Sequence, residues 1–181
     1  MNAHNSPRTV GLLHIYEGNG KGKTTAAIGL AVRMCGVGRK VLFTQFLKGC
    51  PTAELEPMRR LGIELRRTDP VQKFIRAMNE EERRECRHSC RQVFEAARRA
   101  LCGGSYGLVV LDEVLDAVNA GMLEEEALLE ALKARSEGTE AVLTGRAPSD
   151  RLCRTADYIS YIEARKHPYQ QGIAARPGVE Y

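Results

Sequence analysis

The chain has 181 residues, 43% hydrophobic and 28% charged, with a formal net charge of +4. That length suits one domain with a core large enough to do without disulfide or metal staples, and no apolar run approaches the ~20 residues of a membrane span, which argues against a membrane protein. The mild positive charge, with 6% aromatic residues and no tryptophan, argues against nucleic-acid binding as well.

In chain order, Met1 to Arg8 is polar and lacks the apolar centre of a secretion signal, so the cytoplasm is the expected compartment and residues 1–9 are expected to be a flexible arm. Periodicity predicts a strand over Gly11–Tyr16, a helix over Thr24–Cys35 and a second strand over Lys40–Phe46, bounded by Gly36 and Gly38. A short helix over Glu54–Leu61, a strand over Ile63–Arg67 and an irregular segment over Asp69–Met78 follow. Asn79 is placed to cap a long amphipathic helix that runs through Cys102, with Glu80, Glu81 and Glu82 complementing its positive end and Gly103-Gly104 stopping it. Leu108–Leu111 is a continuous apolar run, the mark of a strand covered on both faces, and Asp112 and Glu113 stand at its tip. A helix over Glu124–Arg135, a strand over Ala141–Thr144, a short helix over Ser149–Thr155 and a strand over Tyr158–Ile162 complete the alternation. Residues 1–181 therefore read as a single three-layer α/β/α domain with a mostly parallel sheet, whose site lies in the loops at the carboxyl ends of the strands.

Six cysteines with no CxxC pair suggest reduced thiols rather than a disulfide framework. Cys86 and Cys90 lie one helical turn apart, yet with Val93, Phe94, Ala97 and Leu101 they form an apolar stripe, so packing is favoured over metal binding. Arg83, Arg84, Arg87, Arg91, Arg98 and Arg99 on the same helix read as a solvated face.

The most informative segment is Gly18-Asn19-Gly20-Lys21-Gly22-Lys23-Thr24-Thr25, between the first strand and the first helix. It is a phosphate-binding loop: glycines let backbone N–H groups approach phosphate oxygens, Lys23 adds a mobile cation and Thr24 a hydroxyl for a metal. The loop is shorter than the usual pattern, since three residues rather than four separate Gly18 from Gly22. A dinucleotide fingerprint fits less well, because Lys23 stands where a third glycine is needed, so the ligand reads as ATP rather than NAD. Val109-Val110-Leu111-Asp112-Glu113 supplies the acidic partner, with a magnesium or manganese ion held by Thr24, a carboxylate and phosphate oxygens. No nucleophile is marked, for His4, His14, His88 and His167 have no Ser or Cys partner in motif spacing. These residues alone leave open a recombinase-like nucleic-acid ATPase or a small-molecule kinase, both releasing ADP, and a regulatory nucleotide-binding module without turnover.

Taken with Gln45-Phe46-Leu47-Lys48-Gly49, Leu143-Thr144-Gly145-Arg146, Lys166-His167 and the terminal Gly178-Val179-Glu180-Tyr181, the loop and acidic motif resemble the corrinoid adenosyltransferases nearly end to end. The resemblance implies a phosphate-loop NTPase fold of the recombinase-like kind. It also implies a reaction in which Co(I) of a corrinoid attacks the 5′ carbon of ATP and triphosphate leaves, in adenosylcobalamin synthesis or salvage. The corrinoid would be cobalamin, cobinamide or cobyrinic acid diamide, with an electron-donating flavoprotein and a homodimeric assembly as partners. By position, Lys23, Thr24 and Glu113 form the catalytic set, Thr24 and Glu113 serve the metal, and Arg33 and Arg146 join the eight loop residues in binding ATP. Phe74 matches one of two aromatics that relatives use to displace the corrinoid's lower base, whereas Arg76 stands where the other would be. Met1 to Thr9 is too short to serve as the longer arm that some relatives place over the site.

Overall fold

The computed structural model describes residues 10–48, 51–70, 73 and 75–181; the expected N-terminal arm and Phe74 lie outside them. Six strands form one sheet in which every pairing is parallel: β1 (Leu13–Glu17), β2 (Val41–Gln45), β3 (Glu64–Arg67), β4 (Leu108–Asp112), β5 (Glu140–Gly145) and β6 (Tyr158–Tyr161), in the order β3-β2-β4-β5-β1-β6. Helices join them: α1 (Lys23–Gly36), α2 (Leu55–Arg60), α3 (Glu80–Cys102), α4 (Val114–Asn119), α5 (Glu125–Lys133) and α6 (Asp150–Thr155). Among the described residues no helix is long and apolar enough to cross a membrane.

Strand alternation sorts the side chains into two cores. Val41, Phe43, Leu108, Val110 and Val142 face α1 and α2 with Ala27, Ala31, Leu55 and Met58. Leu13, Ile15, Leu42, Val109, Leu111, Ala141 and Leu143 point the other way, towards α3, α4, α5 and α6. The sheet is thus the middle of three layers, and β2 and β4 are buried along their whole length, as expected of parallel strands under helices on both sides. Cys86 and Cys90 belong to the second core, and burial pushes the Cys90 thiol up to about 12, so it is an inert packing group.

Two local features depart from the expectations. The tip after β4 is not a plain loop: Val114, Leu115 and Ala117 are buried on α4, a helix whose six residues are too few for periodicity to reveal. The irregular stretch before α3 includes a 3-10 turn at Ile75–Ala77, packed on the core through Ile75. The start of α3 follows its sequence closely. Asn79 accepts from the Glu82 amide at 2.9 Å while Glu82 returns a bond to the Asn79 amide at 2.8 Å, a reciprocal capping box. Replacing Asn79 with Ala is expected to cost about 1 kcal/mol, read as a shifted urea midpoint at unchanged slope.

Candidate phosphate and metal site

The carboxyl ends of β1, β2, β4 and β5 bring the expected motifs together. After β1 the chain turns through Gly18 (φ 119°) and Gly22 (φ 121°), values that L side chains rarely adopt, and enters α1 with Gly22 as a cap that offers no side chain to the first amides. Those amides and the helix dipole face the loop, an anion-binding arrangement. Lys23 folds back over it, its Nζ donating to the carbonyls of Gly18 (2.7 Å) and Gly20 (2.8 Å). Burial, and then the nearby Arg146 guanidinium, hold the Lys23 ammonium below its usual range. Two cations therefore share the loop, and the Asp116 carboxylate acts on both.

Not every loop residue is free for phosphate. The Gly20 amide donates to the Ile162 carbonyl at 2.7 Å, and Asn19 Oδ1 accepts from the Ala164 amide at 2.9 Å. A Cβ at Gly18 would stand 2.4 Å from the Ile162 oxygen and one at Gly20 2.7 Å from it, so these glycines admit the chain that follows β6. Lys21 and Thr25 are exposed on the outer side of the turn.

Asp112, wholly buried at the end of β4, is the hub of the acidic side. Its Oδ1 accepts from the hydroxyls of Thr24 (2.9 Å) and Thr144 (2.7 Å), and its Oδ2 from Gln45 Nε2 (3.4 Å). Thr144 in turn accepts from the Glu113 amide at 2.8 Å. Glu113 takes a left-handed conformation (φ 61°), and its carboxylate meets Lys48 Nζ at 2.8 Å, with Asp112 Oδ2 3.7 Å from the same nitrogen. Burial pushes the Glu113 carboxyl up and Lys48 offsets this only in part. For Lys48 the order is reversed: burial works to lower its pKa, but Asp112 and Glu113 together prevail and hold the ammonium firmly charged. Structure thus gives Asp112, not Glu113, the direct bond to Thr24, and adds Thr144, Gln45 and Lys48, which sequence spacing does not link.

The donors suit a hard divalent cation. Thr24, Glu113 and Asp112 offer only oxygen, and Gln45 Oε1 is buried beside them without a partner. Among the described residues no group of three or more His, Cys, Asp or Glu is placed to hold a metal ion.

At the end of β5, Gly145 (φ 142°) leaves no room for a Cβ, which would stand 2.7 Å from Asp116 Oδ2. Asp116 on α4 is pushed up by burial and eased by Arg146, whose charge and backbone N–H both face it. Asn119 Nδ2 donates to the Arg146 carbonyl at 2.8 Å, so α4 is the element that aims Arg146 at the loop. Arg33 is not brought there: it is exposed on the last turn of α1, ten residues or about 15 Å of helix beyond Lys23. His14 is bound to Glu140 (2.9 Å) and stacked on Tyr158, and His167 accepts from the Tyr169 amide, so both have packing or capping contacts. A cavity of about 640 Å³ opens between the segment after β3 and the start of α3, lined by Thr68, Asp69, Pro70, Lys73, Met78 and Ser89. It adjoins the acidic side, since the Thr68 amide donates to the Gln45 carbonyl at 3.1 Å.

Comparison with known proteins gives a consistent result. The family described as ATP:corrinoid adenosyltransferase BtuR/CobO/CobP matches residues 9–181. Corrinoid adenosyltransferases of Escherichia coli and Pseudomonas aeruginosa are each 33% identical over 172 residues, 94% of this chain and 86% and 84% of theirs. Corrinoid adenosyltransferase CobA of Salmonella typhimurium is 32% identical over the same share of this chain and 86% of its own.

Gly20→Ala separates bracing from phosphate contact. Its methyl would strike the Ile162 and Glu163 backbone, so ATP affinity measured by calorimetry is expected to fall by on the order of tenfold while the far-ultraviolet circular dichroism spectrum stays that of the parent.

Proposed function

The chain belongs to the ATP:corrinoid adenosyltransferase family, and from that premise we propose how its residues carry out the transfer. Co(I) of the corrinoid attacks the ribose 5′ carbon of ATP; a cobalt–carbon bond forms, the 5′ carbon–oxygen bond breaks, and its electron pair leaves with triphosphate. The nucleophile belongs to the substrate, so the protein has to align two molecules and stabilise a departing polyanion. Alignment of this kind supplies up to ~7–11 kcal/mol.

The observation that carries this reading is the Lys23 ammonium folded over the glycine loop on the carbonyls of Gly18 and Gly20, where it would meet a triphosphate oxygen together with Arg146 from the end of β5. Charge that grows on the leaving group is then met by donors already in place. Thr24 and Glu113 would hold magnesium or manganese, with Asp112 orienting the Thr24 hydroxyl. A bound divalent ion would neutralise charge on the phosphates and hold their conformation. Gly18, Gly22, Lys23 and Thr24 would line the triphosphate directly, Asn19 and Gly20 through their bracing, and Lys21 and Thr25 from its outer rim. Arg33 has the weakest support, given its distance.

On the corrinoid side, the cavity lined by Thr68 and Met78 supports approach of the corrinoid there, and the resemblance gives Phe74 the contact with it. A reductant of the flavoprotein class and a homodimer complete the proposal; exposed Tyr158, Ile159 and Tyr161 on the open edge of β6 support a contact between proteins there.

Anaerobic incubation with ATP, magnesium and a chemically reduced corrinoid is expected to yield inorganic triphosphate and a light-sensitive alkylcobalt product. Release of ADP instead would point to a kinase or motor ATPase and overturn the proposal. Lys23→Ala should lower turnover by on the order of 10²- to 10³-fold, the usual loss for one donor to a developing anion. Phe74→Ala should leave ATP binding intact and slow reduction of a corrinoid that carries its lower base; equal impairment with pre-formed Co(I) would remove that role.

A further inference from the structure

Lys48 occupies the acidic side where the reading above calls for a divalent metal. Its Nζ lies 2.8 Å from Glu113 Oε1 and 3.7 Å from Asp112 Oδ2, and the Glu54 carboxylate adds to the same field. Two non-glycine residues adopt left-handed backbone at this contact, Leu47 (φ 57°) and Glu113 (φ 61°). Neither is a loose turn. Leu47 packs its side chain on the core of α3, and the Glu113 amide is bonded to Thr144, so the surroundings impose both conformations and through them the meeting of Lys48 with Glu113. The Lys48 side chain is 21% exposed and that of Glu113 32%, with Asp112 fully buried behind them, so water screens the contact only in part.

An ammonium and a divalent ion compete for the same carboxylate lone pairs. A bare metal entering here must part Lys48 from Glu113 and leave the ammonium facing a second positive charge. A metal that arrives with triphosphate brings replacement oxygens for that ammonium. We propose that Lys48 is a resident counter-ion, a positioning residue that holds Glu113 until nucleotide arrives and then yields it to the metal, so that metal and ATP bind cooperatively. The inference rests on the assignment of Thr24 and Glu113 to the metal. It makes Lys48 the reason that the acidic side is not filled by metal ahead of its substrate.

The test is manganese held by the purified protein in equilibrium dialysis, first without ATP and then with ATP on both sides of the membrane, so that manganese bound to ATP in solution cancels. Lys48→Met is expected to tighten binding of manganese alone by at least about fivefold, the lower end of ordinary coupling between sites, and to shrink the factor by which ATP improves it. Lys48→Gln, which keeps a hydrogen-bonding group without the charge, must show the same tightening, and Lys48→Arg must retain the weak binding of the parent. A lysine that acted only as a nearby charge would tighten manganese alone and with ATP by the same factor, and that outcome would also overturn its role. Binding of manganese alone that is no tighter in Lys48→Met and Lys48→Gln than in the parent overturns the role of Lys48 while leaving the metal assignment intact. No manganese binding even with ATP overturns both.

Discussion

The Asp112 carboxylate has no exposed surface, and it holds four segments of the site in one place. Thr24 at the start of α1, Thr144 on β5 and Gln45 on β2 all donate to it, and Lys48 stands near its outer oxygen. Burying a charge is expensive unless its lone pairs are filled, and here three donors and one cation fill them. The arrangement is possible only because the parallel sheet ends β2, β4 and β5 at one level, with Gln45 beside Asp112 in the register. Position of the phosphate loop relative to the acidic side therefore follows from a single buried anion.

The same centre leaves an electrostatic imbalance. Lys23 and Arg146 crowd each other on one side, and Glu113 with Asp112 share one ammonium on the other. On the first side the Asp116 carboxylate already acts on both cations and meets their charge in part; a metal triphosphate would add negative charge there and bring a divalent cation to the second. Protein stability is given up locally for this, as burial first, and then neighbours of like charge, raise the Glu113 carboxyl and lower the Lys23 ammonium. Glu113, whose folded pKa is raised, destabilises the fold increasingly as pH rises through the window between its unfolded and folded values. A ligand that brings both signs of charge removes both costs at once.

Much of this was legible in order but not in contact. The glycines, Lys23 and Thr24 are neighbours in the chain, and the apolar run before Asp112 announces a covered strand, so the loop, the acidic motif and the three layers could be read from spacing. What spacing does not carry is who meets whom across 88 residues, as Thr24 meets Asp112, or 32, as Thr144 does. Helix α4 escaped because six residues are less than two turns, although buried Val114, Leu115 and Ala117 were its trace. Arg33 shows the limit of spacing for a geometric reason: ten residues on a helix is a short step in sequence, yet it puts Arg33 about 15 Å of helix from Lys23. Gly20 was read as a phosphate glycine, and its tight approach to Ile162 is a second reason for the same residue.

That β1 lies between β5 and β6 has a bearing on how the molecule is made. The strand that launches the phosphate loop finds both its sheet partners more than 120 residues later, Leu13 with Ala141 and His14 with Tyr158. On a ribosome, β1 must wait, with no strand beside Leu13 and Ile15, until β5 and β6 have emerged, whereas β2 can pair with β3 and β4 before then. Until then those apolar segments are open to wrong contacts, and the loop can be braced against Ile162 only after that residue has emerged.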